Sequence, residues 1–138
     1  MAKALVVDDE QNLRRVLAAM LKREGYDVAV AENGTQALAE LRKNGADVIV
    51  TDQVMPQMGG LELLKAVLEE RPEVPVIMIT AHGTVDSAVE AIKLGAFDYI
   101  TKPFEQEELK SVIAKAVRTR DLSKHAVPAS SDEKARRI

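Results

Sequence analysis

The chain has 138 residues, enough for one domain with a full core, and its 46% hydrophobic and 30% charged residues are ordinary for a soluble globular protein. A net charge of −3 argues against a nucleic-acid-binding surface, and the lack of cysteine excludes disulfides, thiolate metal sites and cysteine nucleophiles. His82 and His125 are too far apart in sequence to suggest a zinc site, no apolar run approaches the roughly 20 residues of a membrane span, and the short apolar run at the amino terminus is no signal peptide, so a cytoplasmic protein is expected.

Ala4–Val7 is an apolar run that drives straight into Asp8, Asp9 and Glu10, and it reads as a short buried strand ending in charge. A helix is predicted over Glu10–Glu24, with Leu13, Val16, Leu17, Met20 and Leu21 at helical spacing and Gly25 as its stop. Tyr26–Val30 is a weaker strand, apolar at alternate positions. Asn33 is a good N-cap for a helix through Lys43 that turns Ala37, Leu38 and Leu41 inward, and Gly45 ends it. A third strand over Asp47–Thr51 stops at Asp52.

Gln53–Gly59, broken by Pro56 and Gly59, is a loop. Leu61–Glu70 is helical, with Leu61, Leu64, Val67 and Leu68 on one face. Val76–Ile79 is the most strand-like run and ends at Thr80. Thr84 caps a helix through Leu94, closed by Gly95, whose outer face carries Ala88, Ala91, Ile92 and Leu94. Phe97–Ile100 is a fifth strand, ending at Thr101-Lys102-Pro103. Glu105, Glu107 and Glu108 then open a last helix, where the helix dipole favours acids, with Leu109, Val112, Ile113, Ala116 and Val117 buried. Ser123–Ile138 has no apolar period, so the expected division is one domain over 1–120 and a linker or flexible tail over 121–138.

Five strand–helix units in strict alternation imply an α/β fold, a doubly wound five-stranded parallel sheet covered on both faces by five helices. In such sheets ligands bind at the carboxyl ends of the strands, where strand order reverses. Asp8 and Asp9 follow the first strand, Asp52 the third, Thr80 ends the fourth and Lys102 follows the fifth. If the order is 2-1-3-4-5, the three acids converge with Thr80 and Lys102 beside them. Three carboxylates in one pocket call for a cation, and oxygen-only ligands suit Mg²⁺. Mg²⁺ favours a phosphate ligand, Lys102 and Thr80 could contact its oxygens, and a carboxylate can serve as nucleophile. The pocket reads as a phosphoryl-transfer site.

The runs Val6-Val7-Asp8-Asp9-Glu10, Val50-Thr51-Asp52-Gln53-Val54-Met55-Pro56-Gln57-Met58-Gly59-Gly60, Ile79-Thr80-Ala81 and Lys102-Pro103-Phe104 resemble the receiver domain of two-component response regulators, over about residues 3–120. The resemblance implies the CheY-like and flavodoxin-like strand order 2-1-3-4-5. It implies Asp52 as phosphoacceptor, loaded from a phosphohistidine on a sensor histidine kinase. Mg²⁺ ligands would be Asp8, Asp9, Asp52 and the carbonyl of Gln53. Thr80 and Lys102 would contact the phosphoryl group, Tyr99 would change rotamer with Thr80, and the Lys102–Pro103 peptide would be cis.

Met78–Lys93 followed by Gly95-Ala96-Phe97-Asp98-Tyr99 is similar to the NtrC-like, sigma-54-dependent activator subfamily, whose receivers regulate transcription. That likeness implies a possible homodimer through the fourth helix, fifth strand and fifth helix. It implies a signalling switch that catalyses only its own phosphorylation and slow dephosphorylation, with no direct nucleic-acid or membrane contact by this segment.

Two other functions use similar parts. A phosphohydrolase of the haloacid-dehalogenase kind would need an acid two residues after its nucleophile, where this chain has Val54. A flavodoxin-like cofactor module would need a phosphate-binding loop after the first strand, where this chain has Asp8-Asp9-Glu10. His82 reads as a surface loop residue rather than a base.

Overall fold

The computed structural model describes residues 2–81 and 83–125. His82 and the expected tail beyond 125 lie outside the described residues. The elements in order are β1 (Lys3–Val7), α1 (Gln11–Arg23), β2 (Asp27–Ala31), α2 (Gly34–Asn44), β3 (Val48–Asp52), α3 (Gly60–Glu70), β4 (Val76–Thr80), α4 (Val85–Leu94), β5 (Asp98–Thr101) and α5 (Gln106–His125). The boundary expected at 120 falls inside α5, which continues to His125.

The five strands are parallel in the order β2-β1-β3-β4-β5. Successive side chains of a strand point to opposite faces, and this period divides the core in two. Leu5, Val7, Ile49, Val76 and Met78 face α2, α3 and α4, meeting Leu38, Leu41, Leu64, Val67 and Ala91. Ala4, Val6, Val48, Val50, Ile77 and Ile79 face α1 and α5, meeting Leu17, Met20, Leu21, Leu109 and Ile113. Strands with both faces covered have no polar positions to spare, hence their near-continuous apolar sequences.

The helical faces differ from expectation at a few positions. Val16 is half exposed because the buried stripe of α1 is Leu17, Met20 and Leu21. In α3 the deepest residues are Leu63, Leu64 and Val67, while Leu61 and Leu68 are partly covered. In α5, Leu109, Ile113 and Ala116 are buried, and Val112 and Val117 pack at the margin. In α4, Ala91 points into the core instead of outward, and Ala88 and Leu94 are partly covered. The exposed apolar stripe there is Val85, Val89 and Ile92, spaced i, i+4, i+7. Among the described residues no helix is long and apolar enough to cross a membrane.

Candidate functional site

Strand order reverses between β1 and β3, and register brings their ends level. Val7 pairs with Thr51, so Asp8 and Asp52 leave the sheet side by side. A carboxylate oxygen from each of Asp8, Asp9 and Asp52 lies within 4.8 Å of the others. Asp8 is almost wholly buried, Asp52 is partly buried and Asp9 is exposed. The Lys102 ammonium reaches in from the end of β5, 3.3 Å from Asp8 Oδ2 and 3.6 Å from Asp52 Oδ2. Its position is fixed by the backbone, since the Lys102 N–H donates to the Thr80 carbonyl at 2.7 Å. The Lys102–Pro103 peptide is cis, as expected.

Burial pushes the Asp52 carboxyl above the usual carboxylate range. Lys102 pulls it down and Asp8 pushes it further up, while the N–H groups of Val54 and Gln53 contribute smaller downward pulls; burial prevails. Asp8 and Asp52 share one ammonium, and with Asp9 beside them the pocket keeps an excess of negative charge. The donor set is oxygen only, at spacings a single hard cation could bridge, which suits Mg²⁺. The Gln53 carbonyl, expected as a further ligand, accepts the Gly60 N–H at 2.8 Å at the start of α3, which leaves its second lone pair open.

Thr80 is buried at the end of β4, level with Thr101. Tyr99 faces α4, and its hydroxyl bonds Gln53 Oε1 and Ser87 Oγ. Two contributors escaped the sequence. Arg14 Nη1 donates to the Asp8 carbonyl at 2.7 Å, bracing the acidic loop. A cation near a helix amino terminus opposes the helix dipole, and that conflict was the available signal. Ser87 carried no signal, because its contact with Tyr99 depends on how α4 packs on β5.

A family model described as the response regulator receiver domain matches residues 4–114. A putative NtrX-like response regulator of Rickettsia bellii is 39% identical over 129 residues, covering 92% of this chain and 27% of that protein. The DNA-binding transcriptional regulator NtrC of Salmonella typhimurium is 42% identical over 112 residues, covering 81% of this chain and 24% of that protein. The chain thus spans about a quarter of the length of these curated relatives. Among solved structures, the beryllofluoride-activated NtrC4 receiver domain dimer superposes with a TM-score of 0.83 at 38% identity, covering 87% of this chain and 99% of that one.

Proposed function

The chain belongs to the response regulator receiver domain family, and on that premise we propose that it is a phosphorylation-controlled switch whose Asp52 takes a phosphoryl group from a phosphohistidine of a sensor histidine kinase. The observation that carries this reading is the shared ammonium: Lys102 touches both Asp8 and Asp52 in a pocket that still has negative charge in excess. An Asp52 oxygen bonds phosphorus as the phosphorus–nitrogen bond of the donor breaks, and the freed imidazole takes a proton from solvent. Asp8, Asp9, Asp52 and the Gln53 carbonyl would hold Mg²⁺, with water completing its shell, and the ion would neutralise the carboxylates and the charge of the phosphoryl oxygens. Lys102 pairs with one phosphoryl oxygen, and the Thr80 hydroxyl donates to another. The protein acts once on itself and is not a conventional turnover enzyme.

The output surface in this reading is α4, β5 and α5. Its exposed stripe of Val85, Val89 and Ile92 is apolar on an otherwise polar helix face, as a partner or homodimer surface requires. The solved structure of a beryllofluoride-activated NtrC4 receiver domain dimer, a similar chain, supports a homodimer as the occupant of such a surface. Names such as DNA-binding transcriptional regulator among the relatives support transcription as the regulated process, with nucleic-acid contact made outside this segment. In solution, Mg²⁺ plus acetyl phosphate should add the mass of one phosphoryl group, and Asp52→Asn should abolish the gain. Equal labelling of the Asn variant would refute the assignment.

A further inference from the structure

One polar chain outside the acid cluster joins segments far apart in sequence. The Tyr99 hydroxyl donates to Gln53 Oε1 at 2.9 Å and lies 2.8 Å from Ser87 Oγ. A phenol has a single proton; with that proton on Gln53, the Ser87 hydroxyl can donate to the phenolic oxygen at 2.8 Å, in competition with the Thr84 carbonyl at 3.1 Å. Ser87 Oγ accepts the Thr84 N–H at 3.0 Å, and the Ser87 N–H is capped by Thr84 Oγ1, also at 3.0 Å. The chain of bonds therefore runs from the residue after Asp52 to the first turn of α4.

Both ends are held. The Gln53 N–H donates to the Ile79 carbonyl at 3.1 Å, and its carbonyl accepts from Gly60. The Tyr99 ring passes close to Gly83, where an added Cβ would lie 3.3 Å from Cε1. The Gln53 carboxamide thus springs from a pinned backbone and grips a ring with little room to turn.

We propose that Gln53 is a positioning residue that latches the amino terminus of α4 to the Asp52 loop through Tyr99 and Ser87, and that this latch maintains the unphosphorylated arrangement. The inference rests on Asp52 being the phosphoacceptor. Gln53 is one peptide unit from Asp52, so a shift of that loop when charge is added at Asp52 moves the carboxamide away from the phenol. Tyr99 and Ser87 then lose their tie to the loop, and the first turn of α4 is released. A latch that must break sets how often the switch opens unaided.

NMR can test this on the whole chain. Amides of Val85–Leu94 are recorded in the wild type with and without beryllofluoride and Mg²⁺, which defines a line from the resting to the activated shift. Gln53→Leu and Ser87→Ala, both without beryllofluoride, should move those amides along that line, each raising the activated population about fivefold, the factor one net hydrogen bond supplies. The double variant should add little, because the two bonds act in series. Tyr99→Phe keeps the ring and loses both bonds, and it should reproduce the double variant. A purely structural role would push the amides off the line; off-line or absent shifts in these variants would overturn the latch, as would multiplying effects in the double variant. A wild type whose α4 amides ignore beryllofluoride would instead refute the phosphoacceptor reading, and the latch with it. A responsive wild type with unmoved variants would refute the latch alone.

Discussion

Asp52→Asn should make the metal-free protein more stable, although it destroys the proposed function. Asp52 shares a 4.8 Å cluster with Asp8 and Asp9. At that spacing and an effective dielectric of about 20, each like pair costs about 3.5 kcal/mol. Lys102, 3.6 Å away, gives back about 4.6 kcal/mol on the same scale. The net repulsion is about 2 kcal/mol, and solvent around the exposed Asp9 reduces it to about 1–2 kcal/mol. For a domain of this size that is a rise in Tm of roughly 3–10 °C. The pH dependence follows from the raised Asp52 carboxyl. The folded state holds that proton more tightly than the unfolded chain does. Its stabilising contribution is present below the unfolded pKa and is lost as pH rises through the folded one. The gap between Asn variant and wild type should therefore be widest at neutral pH and close on acidification. Thermal melts by circular dichroism in EDTA from pH 4 to 8 measure it. Adding Mg²⁺ should narrow the gap by stabilising the wild type more. An Asn variant that melts lower than wild type at pH 7.5, or a gap indifferent to pH, would refute this account of the site.

Lys102→Ala leaves the buried Asp8 carboxylate without its ammonium, so melts in EDTA should show a loss of about 1–3 kcal/mol that Mg²⁺ largely restores. Gly60→Ala places a Cβ 2.5 Å from the Asp52 carbonyl oxygen, which should destabilise by about 1–3 kcal/mol and slow acetyl phosphate labelling as the Asp52 loop is displaced. Gln57 has φ 65° in the loop before α3; Gln57→Val should cost about 1 kcal/mol more than Gln57→Gly in urea unfolding, because a β-branched side chain resists the left-handed conformation.

The sheet was legible because strands buried on both faces must be apolar throughout, and glycine and proline marked their ends. Asp8, Asp52 and Lys102 were legible for a related reason: charge directly after such a strand has nowhere to go except the carboxyl edge of the sheet. Outward helix faces were harder to read. Val89 and Ala91, two residues apart, lie on opposite faces of a helix, but with apolar residues on both faces of α4 the period does not say which turns inward; its packing on the sheet decides that Ala91 is covered while Val89 is exposed. Tyr99 was recognisable as a switch candidate, whereas its partners Gln53 and Ser87 arise from contacts spanning 46 and 12 residues.

The proposed switch works only if its opposing free energies are of similar size. Lys102 is divided between Asp8 and Asp52. A phosphoryl group would add about −1.5 to −2 charges and draw the ammonium toward itself. Asp8, buried and deprived of that partner, would then depend on the cation proposed among the acids, so metal binding and phosphorylation would reinforce one another. Charge-assisted bonds from Lys102 and Thr80 are worth about 1.5–3 kcal/mol each, roughly 3–6 kcal/mol together. Against them stands the preference for the resting arrangement, to which the Gln53–Tyr99–Ser87 latch, its two bonds acting in series, contributes about 1 kcal/mol. A bias of about 2 kcal/mol leaves a few per cent of molecules open without phosphate, and reversing it to near completion takes about 4–5 kcal/mol. The phosphoryl contacts cover that range. A latch several hydrogen bonds stronger would stay shut when phosphorylated, and with no latch the protein would signal without its kinase.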